Sequence, residues 1–108
     1  MQTVIQVVCS TGESLREKIV KDAKLEDYYL RVLKQKSVGR SPGWAKISSN
    51  ETGVAGVLNL EWHKESMLLI GRVITKAGNK PDELIGCFVE YLLSRHRRRI
   101  RIINILVE

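Results

Sequence analysis

The sequence predicts an α+β domain: a mixed, largely antiparallel sheet in the order β-α-β-β-β-β-α-β, with two helices packed on one face. Three observations predict it. Val- and Ile-rich runs of strand length recur along the chain. Two segments carry apolar residues at three- and four-residue spacing. Connections rich in Gly, Pro and Ser separate these runs at short intervals, with no internal repeat, low-complexity tract or linker. A single domain spanning 1–108 follows, and a chain of this size buries roughly 60–70% of its unfolded surface.

Residues 3–9 are Val- and Ile-rich and predict a buried first strand. Ser10 and Glu13 stand at capping-box spacing, which predicts a helix start there. In that helix Leu15, Ile19, Val20 and Ala23 share one side, Arg16, Glu17, Lys18 and Lys21 face water, and the pattern runs on toward Leu25. The segment from Asp27 to Lys36 fits either a strand or a helix. Its aromatic and β-branched residues, with turn chemistry after them, favour a strand.

Ser37 to Gly43 is a Gly/Pro/Ser loop, and Trp44 to Ser48 predicts the returning strand. After the turn at Asn50 to Gly53, Val54–Trp62 and Met67–Thr75 flank His63-Lys64-Glu65-Ser66 as the arms of a hairpin. The second arm is apolar on both faces, the pattern of a central strand. Pro81, Asp82 and Glu83 open a helix, since proline suits the first turn and acids complement the positive dipole end. Leu84, Ile85, Phe88, Val89, Leu92 and Leu93 are its apolar face, ending near Arg97 to Arg99. Ile102 to Val107 predicts a last strand, apolar on both faces. A crossover through the helix would lay it parallel to a neighbour.

Composition narrows the classes. With 44% hydrophobic and 28% charged residues, wholesale disorder is excluded. No uninterrupted apolar run is long enough to span a bilayer, so no membrane partner is expected. The start, Met1 to Val8, has neither a basic n-region nor a long h-region, which predicts a cytoplasmic protein. Cys9 and Cys87 sit in apolar runs, where free, buried thiols are expected. Asn50-Glu51-Thr52 matches a glycosylation sequon and is read as chance.

The charge is the informative quantity. Lys+Arg total 18 against 12 Asp+Glu, a net +6. Tyr28 to Asn50 contains five bases and no acid, and Tyr91 to Val107 likewise contains five and none. The rest of the chain has eight bases and twelve acids. Two acid-free basic stretches therefore sit on a mildly acidic body.

Such stretches suit polyanions, since each cation near a phosphate releases condensed counterions and arginine forks onto phosphate oxygens. The candidate contacts are Lys34, Lys36, Arg40 and Lys46 in the first stretch and Arg95, Arg97, Arg98, Arg99 and Arg101 in the second. Trp44 is a candidate stacking platform for an unpaired base. Helix-dipole complementarity accounts for one or two arginines near Arg95 to Arg99, but not for five in seven residues.

Catalytic and metal patterns are weak. Cys9 before Ser10-Thr11-Gly12 occupies the place of a thiolate at a helix start, but six residues separate it from Arg16, one more than the phosphatase pattern requires. His63 and His96 form no paired ligand spacing with Cys9 and Cys87. His63 with Glu61 or Glu65 has no nucleophile beside it. No cofactor, metal or catalytic residue is assigned. The sequence predicts a small basic binding module contacting RNA or DNA phosphates with little sequence preference. Its alternative is a module that binds a protein partner or assembles with itself, and an enzyme stands third.

Overall fold

The computed structural model describes residues 2–76 and 78–107. Six strands form one sheet: β1 (Gln2–Cys9), β2 (Leu30–Lys34), β3 (Trp44–Ser49), β4 (Val57–His63), β5 (Leu68–Ile74) and β6 (Ile100–Val107), in the spatial order β2-β3-β4-β5-β1-β6. Helices α1 (Leu15–Val20) and α2 (Asp82–Arg95) lie on one face, with 3₁₀ turns at Ala23–Tyr28 and Arg97–Arg99. The α+β class and the order of the main elements are those the sequence predicts.

Period-two alternation selects the covered face. In β1 every second residue, from Thr3 to Cys9, is buried, and its neighbours are half exposed. Ile5 and Val7 join Leu58, Leu60, Leu69 and Val73 of the central strands, Leu15 and Ile19 of α1, and Leu84, Phe88, Tyr91 and Leu92 of α2 in one core. Gly71 opens room there. A Cβ at that position would stand 3.0 Å from Leu58 Cδ1 and 3.8 Å from Phe88 Cε2.

Three details differ from the sequence-based expectation. All five strand pairings are antiparallel, so the predicted parallel neighbour of the last strand does not exist. α2 does carry the chain back so that β6 runs in the direction of β5, but β1 lies between the two strands and pairs with both. Secondly, the first helix starts later. Ser10 N–H is used by Arg99 O, which extends the β1–β6 ladder, and Ser14 Oγ accepts Glu17 N–H at 3.1 Å instead. Thirdly, that helix stops at Val20 rather than reaching Leu25. Asp22 caps a separate 3₁₀ turn by accepting Lys24 N–H.

The last strand is also not enclosed. β6 is an edge strand, and Ile102, Ile105, Leu106 and Val107 are exposed.

Candidate functional site

Strand register shows where the basic stretches go. Cys9 pairs with Ile100, Val8 with Leu68, His63 with Leu68, and Trp44 with Glu61. The C-terminal ends of β1, β2 and β4 and the N-terminal ends of β3, β5 and β6 therefore form one end of the sheet. Lys34, Lys36 and Arg40 lie at or beyond this end beside β2 and β3. Arg97, Arg98, Arg99 and Arg101 lie at the same end beside β6. Five interstrand spacings separate the two groups, about 24 Å.

Helix α1 sits between them. On one side a shallow basin of about 570 Å³ is lined by Arg16, Glu17, Lys36 and Arg40. On the other, a basin of about 440 Å³ is lined by Lys18, Lys21, Asp22, Arg95, His96 and Arg99. Among the described residues, no carboxylate comes within 4.0 Å of Lys34, Lys36, Arg40, Lys46, Arg97, Arg98, Arg99 or Arg101. The cations of α1 are satisfied locally: Lys18 pairs with Glu13 and Lys21 with Glu17, both at 3.3 Å. Lys21 beside Glu17 holds that carboxyl below its ordinary range, with Arg16 adding to the effect.

Three predicted contacts have different surroundings from those expected. Arg95 is engaged: its Nε and Nη2 donate to the two Asp22 carboxylate oxygens, each at 3.1 Å. Lys46 is half-buried in the strand, opposite Asn59 on one side and Lys34 on the other, two residues in from Trp44 at the basic end. Trp44 is 3% exposed, so its ring offers no open face to a base, and the Arg40 guanidinium already lies 5.2 Å from the ring centroid. Tyr29 is exposed but precedes β2, at the opposite end of the sheet.

Arg16 is the residue that sequence reasoning missed. Its helical position suggested a side facing water, yet it is buried at 4% exposure. Nε and Nη2 donate to Trp44 O at 3.0 and 2.8 Å, Nη2 also donates to Gln35 O, and Nη1 meets Glu17. The planar guanidinium thus ties both feet of the β2–β3 loop to α1, which a point-charge ammonium could not do in one geometry. Ser14 followed by Glu17 at capping-box spacing was the available signal, because it places Arg16 in the first turn, beside the sheet.

The arginine-rich junction has its own anchor. His96 Nε2 lies 2.8 Å from Tyr91 Oη, which lies 2.9 Å from Asp22 Oδ2. A carboxylate only accepts, so the Tyr91 hydroxyl donates to Asp22 and accepts the His96 Nε2 proton. Burial alone would raise the Asp22 carboxyl. The hydrogen bonds from Arg95, Lys24 N–H and Tyr91 outweigh it and lower the pKa to about 2. Burial lowers the His96 pKa against the pull of Asp22, with Arg99 and Arg95 adding to the lowering. Burial and the Asp22 carboxylate push the Tyr91 hydroxyl up. The network locks the 3₁₀ turn after α1 to the end of α2, just before Arg97.

Burial pushes the Cys9 thiol up, the opposite of an activated thiolate, and neither Cys9 nor Cys87 is in a disulfide. Among the described residues, no three His, Cys, Asp or Glu side chains converge as a metal site, and no helix is long and apolar enough to cross a membrane. No family model, curated protein or solved structure matches the chain.

Proposed function

We propose that the chain binds nucleic-acid phosphates across the basic end of its sheet, with little preference for sequence. The observation that carries this reading is the arrangement of seven cations without carboxylate partners among the described residues, Lys34, Lys36, Arg40, Arg97, Arg98, Arg99 and Arg101, at one end on both sides of α1. Unpaired cations keep their full field for an external anion, whereas ion-paired ones such as Arg95 do not. A span of about 24 Å matches roughly seven phosphates of a stacked strand at about 3.4 Å each. Arg16 and the Asp22–Tyr91–His96 chain hold the two basic groups in place without contacting the ligand. With Trp44 buried, base stacking is not part of the mechanism. Contacts to phosphate oxygens position the strand and carry no base information.

The test is a salt-titrated binding measurement with single- and double-stranded RNA and DNA. Arg97/Arg98/Arg99→Ala and Lys36/Arg40→Ala are each expected to weaken binding. Each should also flatten the salt dependence, by about 0.7–0.9 in log–log slope for every phosphate that is no longer neutralised. Lys76/Lys80→Ala removes two exposed charges beyond the far end of β5 and is expected to change affinity little. Equal losses in all three variants would mean bulk charge and no site. Unchanged binding in the first two would overturn the proposal.

A further inference from the structure

The most apolar stretch of the chain lies on the open edge of its sheet, and the hydrogen-bonding pattern shows what that edge presents. Cys9 N–H donates to Met67 O at 2.9 Å, so the odd-numbered residues of β1 address β5 and the even-numbered ones address β6. Val8, Gln6 and Val4 pair with Ile102, Asn104 and Leu106. The N–H and C=O groups of Ile103, Ile105 and Val107 therefore point away from the sheet. Edge strands normally carry lysine, proline or a bulge that blocks further pairing. From Ile102 to Val107, β6 has none; the one register shift, Val8 with Ile102 but Cys9 with Ile100, leaves Arg101 as an extra residue at the start of that stretch.

The same stretch reads alike in both directions. Around Asn104, Ile103 mirrors Ile105 and Ile102 mirrors Leu106. Beside it, Ile85, Val89 and Leu93 of α2 are half-buried and face Ile105 and Val107 across an apolar groove of about 760 Å³. These are the features of a self-complementary surface: a two-fold axis normal to the sheet keeps both copies' helices on one side and brings each groove to the seam.

We propose that β6 pairs antiparallel with β6 of a second copy about a two-fold axis at Asn104, joining the two sheets into one. The register follows from the edge. Outward-pointing residues must face outward-pointing residues, and centring on Asn104 does so while setting the mirrored Ile103 and Ile105 against each other. Ile103 then faces Ile105 of the second copy and Ile105 faces its Ile103, with about four backbone hydrogen bonds at the centre of the seam. On the other alternation Ile102 faces Leu106, and the two Asn104 amides meet on the axis at a narrow, non-hydrogen-bonded pair. The eight-residue strand is about 26 Å long, and sheet plus helix present a wall about 20 Å high, a projected footprint of roughly 500 Å² per copy. That is the small end of specific interfaces, the scale of a reversible dimer.

A second copy suits this edge better than a peptide of another protein, because the mirrored apolar pattern and the flanking α2 stripe complement themselves. The proposal does not rest on the polyanion reading, although Arg97 rims the groove and Arg101 lies near the start of the strand. Sedimentation equilibrium is expected to give a mass rising with concentration toward twice 12.3 kDa. Ile105→Pro removes an outward donor and no β1–β6 hydrogen bond, so it is expected to weaken association at least about tenfold while keeping the circular dichroism of the fold. Asn104→Cys supplies a check that does not depend on that variant folding. Opposed Cα atoms about 4.5 Å apart at a non-hydrogen-bonded pair allow a disulfide, so mild oxidation is expected to cross-link Asn104→Cys. Ile102→Cys, whose counterpart lies several residues away, and wild type should stay uncross-linked. A wild-type monomer at the highest concentration reached, or a dimer in which Asn104→Cys does not cross-link, would overturn the proposal.

Discussion

Replacing Arg16 by methionine tests the device that positions the β2–β3 loop. Methionine keeps most of the unbranched stem and so most of the packing, and it removes every donor. Trp44 O loses two charged donors, at 3.0 and 2.8 Å, and Gln35 O loses one. Hydrogen bonds to charged groups contribute about 1.5–3 kcal/mol each, and relief of the buried guanidinium's desolvation offsets part of the loss. The net cost expected is about 2–4 kcal/mol, which corresponds to a Tm lower by roughly 10–25 °C for a domain of this size. Chemical denaturation of wild type, Arg16→Met and Arg16→Lys measures it. Lysine is expected to recover less than half, because one ammonium cannot fork to both carbonyls. Hydrogen exchange should also quicken at residues 36–43 more than in the core strands, since the loop loses its tie to α1. A Met variant within about 0.5 kcal/mol of wild type, with unchanged exchange in the loop, would refute the clamp.

Two further perturbations follow from the geometry. Both His96 and Asp22 have lowered pKa values when folded, so each favours its deprotonated form there. Their stabilisation is complete above the unfolded values of 6.5 and 3.8. It declines as pH falls: for His96 at pH below 6.5, and for Asp22 between 3.8 and about 2. Urea midpoints measured from pH 8 to 2 should show both declines, and Asp22→Asn should remove the lower one. Gly56→Ala places a Cβ 2.9 Å from Thr75 Cγ2 in a backbone with φ +102°, and is expected to cost about 1–3 kcal/mol by thermal melting. A neutral result would show that the bend before β4 tolerates an L side chain.

Much of the fold was legible in the sequence because its signals are local. The three- and four-residue spacing of Leu84, Ile85, Phe88, Val89, Leu92 and Leu93, opened by Pro81 and Asp82, specifies α2 from adjacent residues. Gly39, Pro42 and Gly43 end β2 and free the loop before β3. The candidate site was less legible. Arg16 and Lys18 look equivalent on a helical wheel, and only the approach of the β2–β3 loop to α1 makes one a buried clamp and the other an exposed ion pair. Arg95 looks like its arginine neighbours until Asp22, far away in sequence, takes its guanidinium.

The sequence by itself determined the α+β class and the order of the main strands and helices, and that two acid-free stretches hold the excess charge. Both are properties of residues next to one another in the chain. Tertiary structure alone decided strand neighbours. β1 enters between β5 and β6, because its backbone can serve both ladders, and that insertion turns a would-be parallel strand into an open edge. The same pairing register brings both basic stretches to one end of the sheet. An apolar run such as Ile102 to Val107 has the same composition whether enclosed or exposed, and only the partners available to its two flanks distinguish the cases.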